Sequence, residues 1–167
     1  MKQSKANKKF VYLISPNKIK DESFYTNLAL VLSSKKISFF QLRLKKETNL
    51  NKLIIGRKIK KICKKYKVKF LINDDPLLAK KINADGCHLG QKDMDLIKAR
   101  KILKKKIIGV TCHNSINLAK IAIKAGADYL AFGAFYTSKT KTVKFKASLR
   151  ILKSIKQITF LPIVAVG

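Results

Sequence analysis

The sequence has no tryptophan, three cysteines, three prolines, seven glycines and only nine acidic residues. Each shortage excludes something. Cys63, Cys87 and Cys112 are odd in number and share no C-x-x-C spacing. That argues against a disulfide framework and a thiolate zinc site, and it fits a reducing, cytoplasmic compartment. No segment approaches the roughly 18 apolar residues that a membrane span needs. The basic stretch Met1–Lys9 leads into an apolar run that stops at Ser15-Pro16, without the length or the small-residue cleavage site of a signal peptide. No G-x-G-x-x-G follows that run, which weakens a dinucleotide-binding reading. Neither H-E-x-x-H nor a Ser-His-Asp order is present.

What the chain does have is lysine. Its 167 residues carry 38 Lys+Arg, a formal net charge of +29, and only four of these cations are arginines: Arg43, Arg57, Arg100 and Arg150. Such a surface would condense onto phosphate, which opens a nucleic-acid reading. An excess of Lys, Ile and Asn is also what an AT-rich coding sequence gives without selection for binding. The lysines spread over nearly every helical stretch, with no stacking aromatics or nucleic-acid motif among them. With 47% apolar residues, the chain can bury a core of its own, unlike a disordered basic tail.

Short apolar runs alternate with longer stretches of helical period. Strands are predicted over Phe10–Ile14, Ile37–Lys45, Phe70–Asn73, Cys87–Gly90, Ile107–Cys112, Tyr129–Phe135 and Pro162–Val166. Helices are predicted over Glu22–Ser34, Asn51–Tyr66, Pro76–Ile82, Leu96–Lys104, Ile116–Ala125 and Leu149–Ile158. In Asn51–Tyr66, Leu53, Ile54, Ile59 and Ile62 form the expected apolar face. Most strand runs are nearly continuous in apolar residues, as strands buried on both faces are. The pattern A-D-x-x-x-x-G occurs at Ala84 and again at Ala127, an echo expected of repeated βα units. Strands alternating with helices imply right-handed crossovers and a parallel sheet. Seven strands in this length fit a compact (β/α) barrel, one domain over 1–167, better than an open doubly wound sheet.

Ligand sites in parallel α/β folds lie at the C-terminal ends of strands. The second strand ends Gln41-Leu42-Arg43-Leu44-Lys45, and period-two alternation puts Gln41, Arg43 and Lys45 on one face, either a phosphate clamp or an exposed charge pair. Asp74, Asp75, Asp93 and Asp95 fall in the two loops after the third and fourth strands. Asp74 and Asp93 are the better-placed pair for a divalent ion, although each precedes a helix and could cap it. Asp75 and Asp95 read as structural. The fifth strand ends in Thr111-Cys112-His113, where His113 reads as structural or as a cap with Asn114. After the sixth come Thr137-Ser138-Lys139-Thr140-Lys141, a second set of anion donors or a polar loop. An anion clamp, a carboxylate pair and a hydroxyl/lysine loop together suit diphosphate chemistry.

In order along the chain, Gln41-x-Arg43-x-Lys45, Leu71-Ile72-Asn73-Asp74, Ala84-Asp85-Gly86-x-His88-Leu89-Gly90-Gln91-x-Asp93 and Ile108-Gly109-x-Thr111-x-His113 resemble the thiamine phosphate synthase family. So do Gly126-Ala127-Asp128-Tyr129, Gly133-x-Phe135-Tyr136, Thr140-Lys141 and Pro162-Ile163-Val164-Ala165-Val166-Gly167. The resemblance implies a TIM-type (β/α)8 barrel. It implies an enzyme joining hydroxymethylpyrimidine diphosphate to thiazole phosphate, giving thiamine phosphate and pyrophosphate. Gln41, Arg43, Lys45, Asn73 and Lys141 would hold the pyrimidine diphosphate, Asp74 and Asp93 a Mg2+ ion on it, and Ser138 and Thr140 the thiazole phosphate. Thr111 stands where the family usually has Ser, and Arg43, Lys45, Thr111 and Lys141 would carry the catalysis. The implied partners are these two small phosphorylated substrates, with no membrane and no specific nucleic acid; a homo-oligomer is left open. The family's Pro-Thr-x-Thr-Lys loop is altered here, and relative to the family the sequence is expected to lack an eighth βα unit after the seventh strand. The alternatives are the related thiazole tautomerase, which places its acid/base residue at His113, and an inactive basic barrel fragment binding nucleic acid.

Overall fold

A computed structural model of the protein describes residues 9–136 and 145–167. Strands and helices alternate along it: β1 (Val11–Ile14), α1 (Ser23–Ser33), β2 (Ile37–Leu42), α2 (Asn49–Lys65), β3 (Lys69–Asn73), α3 (Pro76–Ile82), β4 (Gly86–Leu89). Then follow α4 (Leu96–Leu103), β5 (Ile107–His113), α5 (Ile116–Lys124), β6 (Tyr129–Gly133), α6 (Leu149–Lys156) and β7 (Ile163–Val166). The strands stand in the sheet in the order in which they occur in the chain, β1 to β7, and β1 with β2 and β3 through β7 pair in parallel. This is the βα-repeat topology of the TIM-type (β/α)8 class, with seven strands among the described residues.

The chain divides into two compact units, Met1–Phe70 and Leu71–Gly167. In the first, Leu28 and Leu32 of α1 and Ile59 and Cys63 of α2 are buried, and the rings of Phe40 and Phe70 stack with centroids 6.4 Å apart. The buried stripe of α2 runs Gly56-Ile59-Cys63. Ile54, expected on that face, is 57% exposed, because two residues at 100° each turn it almost opposite Gly56. Strand β2 ends at Leu42, three residues short of the expected Lys45. The Arg43 N–H leaves the ladder and donates to Ser15 Oγ at 2.8 Å. In the second unit all four residues of β4 and the first four of β6 are buried. In β4 and β6 the apolar runs read from the sequence therefore mark strands covered on both faces, whereas β1 and β7 are partly exposed.

Helix ends use few glycines. Thr48, Asp75, Asp95, Ser115 and Ser148 cap α2 to α6 at their N-termini through side-chain oxygens. At the other end, Val68 N–H donates to Cys63 O, Ala84 N–H to Ala79 O and Ala127 N–H to Ala122 O. Each of these six-to-one bonds follows a residue in the left-handed region: Lys67 (φ 58°), Asn83 (φ 58°) and Gly126 (φ 88°). This is the Schellman closure, and it accounts for the echoed Ala-Asp, since Ala84 and Ala127 are the buried donors. From the last turn of α4, Arg100 ties down the start of the next two strands. Its guanidinium donates to Lys104 O, Lys106 O and Gly126 O, each at 2.7 Å, and to Asp128 Oδ2 at 2.6 Å. Asp128 Oδ2 also accepts from Ile108 N–H at 2.7 Å. None of the described helices is long and apolar enough to cross a membrane.

A non-glycine residue in the left-handed region carries a steric cost. Lys67→Gly removes it while leaving the Val68 bond in place. Urea unfolding should show stability raised by about 0.5–1 kcal/mol, the remainder after glycine's extra chain entropy.

Candidate active site

The C-terminal ends of the strands hold most of the residues singled out above. In the first unit Gln41 is buried, and its Oε1 accepts from the Tyr12 hydroxyl at 2.8 Å. Arg43 is half-buried, and its guanidinium donates to Asn17 Oδ1. That partner is an amide, so it orients the guanidinium without neutralising it. Lys45 is exposed. Because β2 has ended by Leu42, Arg43 and Lys45 belong to the loop after the strand, and the pleat does not set their common direction with Gln41.

In the second unit the two acid pairs divide their work. Asp75 Oδ1 accepts from Leu78 N–H at 2.9 Å and caps α3. Asp95 Oδ1 accepts from Ile97 and Lys98 at 3.0 and 3.1 Å and caps α4. Neither Asp74 nor Asp93 is a helix cap. Asp74 sits at φ 65°, with its N–H donated to His88 O at 2.8 Å. This turn takes its carboxylate out of the alternation of β3. Left-handed non-glycine residues of this kind concentrate at functional sites. Asp93 Oδ2 accepts from Gly90 N–H at 2.7 Å, closing the loop after β4. Burial pushes the Cys87 thiol well above its ordinary range, and the nearby charges of Asp74, Asp75 and Asp93 add to that shift. Among the described residues no group of three or more His, Cys, Asp or Glu gathers as a metal site. A carboxylate pair still supplies the hard oxygens that Mg2+ takes when phosphate completes its shell.

The arrangement that sequence reasoning missed lies in one row of the sheet. The register pairs Asn73 with His88, His88 with Gly109, and Gly109 with Tyr129. A side chain on Gly109 would stand between β4 and β6; a Cβ there would lie 1.8 Å from Tyr129 Cζ. Without one, the Tyr129 phenol crosses β5 and reaches His88 Nδ1 at 2.7 Å. His88 Nε2 lies 2.8 Å from Thr111 Oγ1, two residues further along β5. The Gln91 side-chain amide donates to Thr111 O. Burial holds the His88 imidazole down at about 4, against a smaller opposing pull from Asp74, so the ring is neutral at physiological pH. His88 and Tyr129 stood in the sequence motifs, but register is not legible in one sequence.

His113, expected as a structural residue or a cap with Asn114, does not cap α5; Ser115 does. Its ring stacks on Phe145 with centroids 4.2 Å apart, and Asn114 Oδ1 accepts from Ser148 N–H at 3.1 Å. Ser138, Thr140 and Lys141 lie outside the described residues.

The family model described as thiamine monophosphate synthase matches residues 11–167. A thiamine-phosphate synthase of Pelagibacter ubique is 86% identical over 167 residues, covering all of this chain and 81% of that protein. One from Clostridium acetobutylicum is 41% identical over 159 residues, 94% of this chain and 74% of that protein. Among solved structures, a thiamine phosphate pyrophosphorylase from Pyrococcus furiosus matches with a TM-score of 0.80 at 28% identity, over 95% of this chain and 74% of that one. A phospho-2-dehydro-3-deoxyheptonate aldolase from Thermotoga maritima matches at a TM-score of 0.66 and 14% identity, over 94% of this chain and 50% of that one; it shares the fold alone.

Two measurements check this geometry. Gly109→Ala should cost about 1–3 kcal/mol in denaturant unfolding, since the new methyl must displace the buried phenol. The second concerns pH. The unfolded chain protonates His88 below about pH 6.5, whereas the folded one does so only near 4. Acidification through that window therefore favours unfolding. Between pH 7 and pH 4 the wild type should lose on the order of 2 kcal/mol more than His88→Gln; equal losses would contradict the buried neutral ring.

Proposed function

Because the chain belongs to the thiamine monophosphate synthase family, it is a transferase that makes thiamine phosphate from a pyrimidine and a thiazole precursor, and we propose the following division of labour among its residues. Arg43 and Lys45, with Gln41, Asn73 and Lys141, bind hydroxymethylpyrimidine diphosphate. Asp74 and Asp93 hold Mg2+ against its diphosphate, Thr111 contacts this substrate, and Ser138 and Thr140 bind the thiazole phosphate. The observation that carries this reading is the division among the acids: Asp75 and Asp95 take the capping positions, while Asp74 sits in the left-handed region beyond β3 and Asp93 accepts from Gly90 N–H in the loop after β4. Two carboxylates fit the donor set of a Mg2+ ion completed by phosphate oxygens.

The reaction breaks the bond between the pyrimidine methylene carbon and the diphosphate oxygen, whose electron pair leaves with pyrophosphate. The thiazole nitrogen then forms a bond to the methylene cation with its lone pair. Negative charge grows on the departing diphosphate, and cations placed there act more strongly on the transition state than on the ground state. The Arg43 guanidinium suits this because Asn17 orients it without cancelling its charge, and a planar guanidinium can bind two phosphate oxygens at once. Bound Mg2+ would add positive charge on the same oxygens. The Cys87 and Cys112 thiols, both buried, are raised in pKa, Cys112 to about 12, and they take no part as thiolates.

The test mixes the two phosphorylated precursors with Mg2+ and measures thiamine phosphate. Asp93→Asn keeps an acceptor for the Gly90 N–H but removes the charge. It should lower Mg2+-dependent turnover beyond the roughly 10–100-fold that loss of an outer-shell partner costs, and Asp93→Ala should abolish it. Asp95→Ala should cost about 1 kcal/mol of stability as a lost cap and leave turnover intact. Unaltered activity of Asp93→Ala would sink the metal assignment.

A further inference from the structure

His88, Tyr129 and Thr111 form a chain of three side chains in which each contact is of hydrogen-bond length, 2.7 Å at Nδ1 and 2.8 Å at Nε2. A neutral imidazole has one N–H and one bare nitrogen. One of the two hydroxyls must therefore donate to the ring and the other must accept from it. The two choices are chemically opposite at Thr111: either its hydroxyl spends its proton on the ring and presents lone pairs, or it receives the ring proton and keeps its own for another acceptor. A phenol is a much stronger acid than an aliphatic alcohol, and so it is the better donor to imidazole nitrogen. The Tyr129 ring is 4% exposed and fixed over Gly109, so its oxygen cannot swing away from Nδ1. Thr111 is also held at its backbone, where its carbonyl accepts from the Gln91 amide.

We propose that His88 is a positioning residue that makes Thr111 a hydrogen-bond donor: Tyr129 O–H donates to Nδ1, Nε2–H donates to Thr111 Oγ1, and the Thr111 hydroxyl proton is left directed at an acceptor atom of the bound substrate. The relay rests on the reading of Thr111 as a substrate contact. It also fixes the ring before substrate arrives, so the hydroxyl needs no reorientation during the reaction. Tyr129 and His88 touch no substrate in this scheme and act only through Thr111.

The chain contains two histidines, which makes the tautomer directly measurable. In protein labelled with 15N-histidine, long-range 1H–15N spectra should show one ring, absent in His88→Gln, with a bare Nδ1 and a protonated Nε2. Tyr129→Phe removes the donor to Nδ1. Its His88 should move to a mixture of tautomers, and kcat should fall about fivefold to tenfold with KM for both substrates within about twofold, the size of one lost hydrogen bond. The melting profile of this variant and its near-UV circular dichroism report separately on folding. Thr111→Ser, which keeps the hydroxyl, should keep the tautomer. A wild-type ring with its proton on Nδ1 and a bare Nε2, or an unchanged kcat in folded Tyr129→Phe, would overturn the proposal. Full turnover in Thr111→Val alongside the expected tautomer would instead overturn the reading of Thr111 on which the relay rests.

Discussion

Tyr129 reaches His88 only because the residue that stands between them in the sheet is Gly109. That single missing side chain lets a group on β6 bond to one on β4 across β5. Parallel strands hold equivalent positions in lateral rows, and the row Asn73, His88, Gly109, Tyr129 lies at the start of the strand-end chemistry. Once the phenol is in place, the imidazole is desolvated, bonded at both nitrogens and kept neutral. Thr111, Gln91 and the loop closed by Asp93 and Gly90 then build outward from a rigid base. A buried polar group is tolerated only when its hydrogen bonds are made. Here Tyr129 of the row and Thr111, two residues further along β5, put a hydroxyl on each side of the ring.

Eight of the nine acids show how the carboxylates are divided. Glu22 pairs with Lys58, Asp21 accepts from Ser23, and Glu47 accepts from Asn51. Asp75 and Asp95 cap helices, and Asp128 joins Arg100 where β5 and β6 begin. Asp74 and Asp93 cap neither of the helices that follow them. The abundant positive charge says less. Most of the lysines in α2 are exposed along the helix, with their stems over apolar surface and their heads in water.

Much of the fold was legible in the residues. The strands and helices fall within two or three residues of their expected ends, since continuous apolar runs and a period near 3.6 leave few alternatives. Pro76 opens α3 and Gly126 follows the end of α5 as expected. The failures have local causes. Alternation continued past Leu42 in the sequence, but the ladder did not, because Ser15 offered its side chain to the Arg43 N–H. Ile54 kept the composition of a core face and missed its angle. The Ala-Asp echo was visible as a repeat, yet its meaning, a helix closure feeding the next strand, appeared only with the hydrogen bonds.

The sequence by itself determined the order of elements, the parallel βα class, the family, and which polar residues fall at strand ends. These depend on local pattern and on spacing along the chain. Only the tertiary structure decided which acids cap helices and which do not, that Arg43 lies beyond its strand, and that His88, Tyr129 and Thr111 meet. The physical reason is register. Residues from different strands become neighbours through backbone pairing across the sheet, and a shift of one residue would turn each of these side chains to the other face.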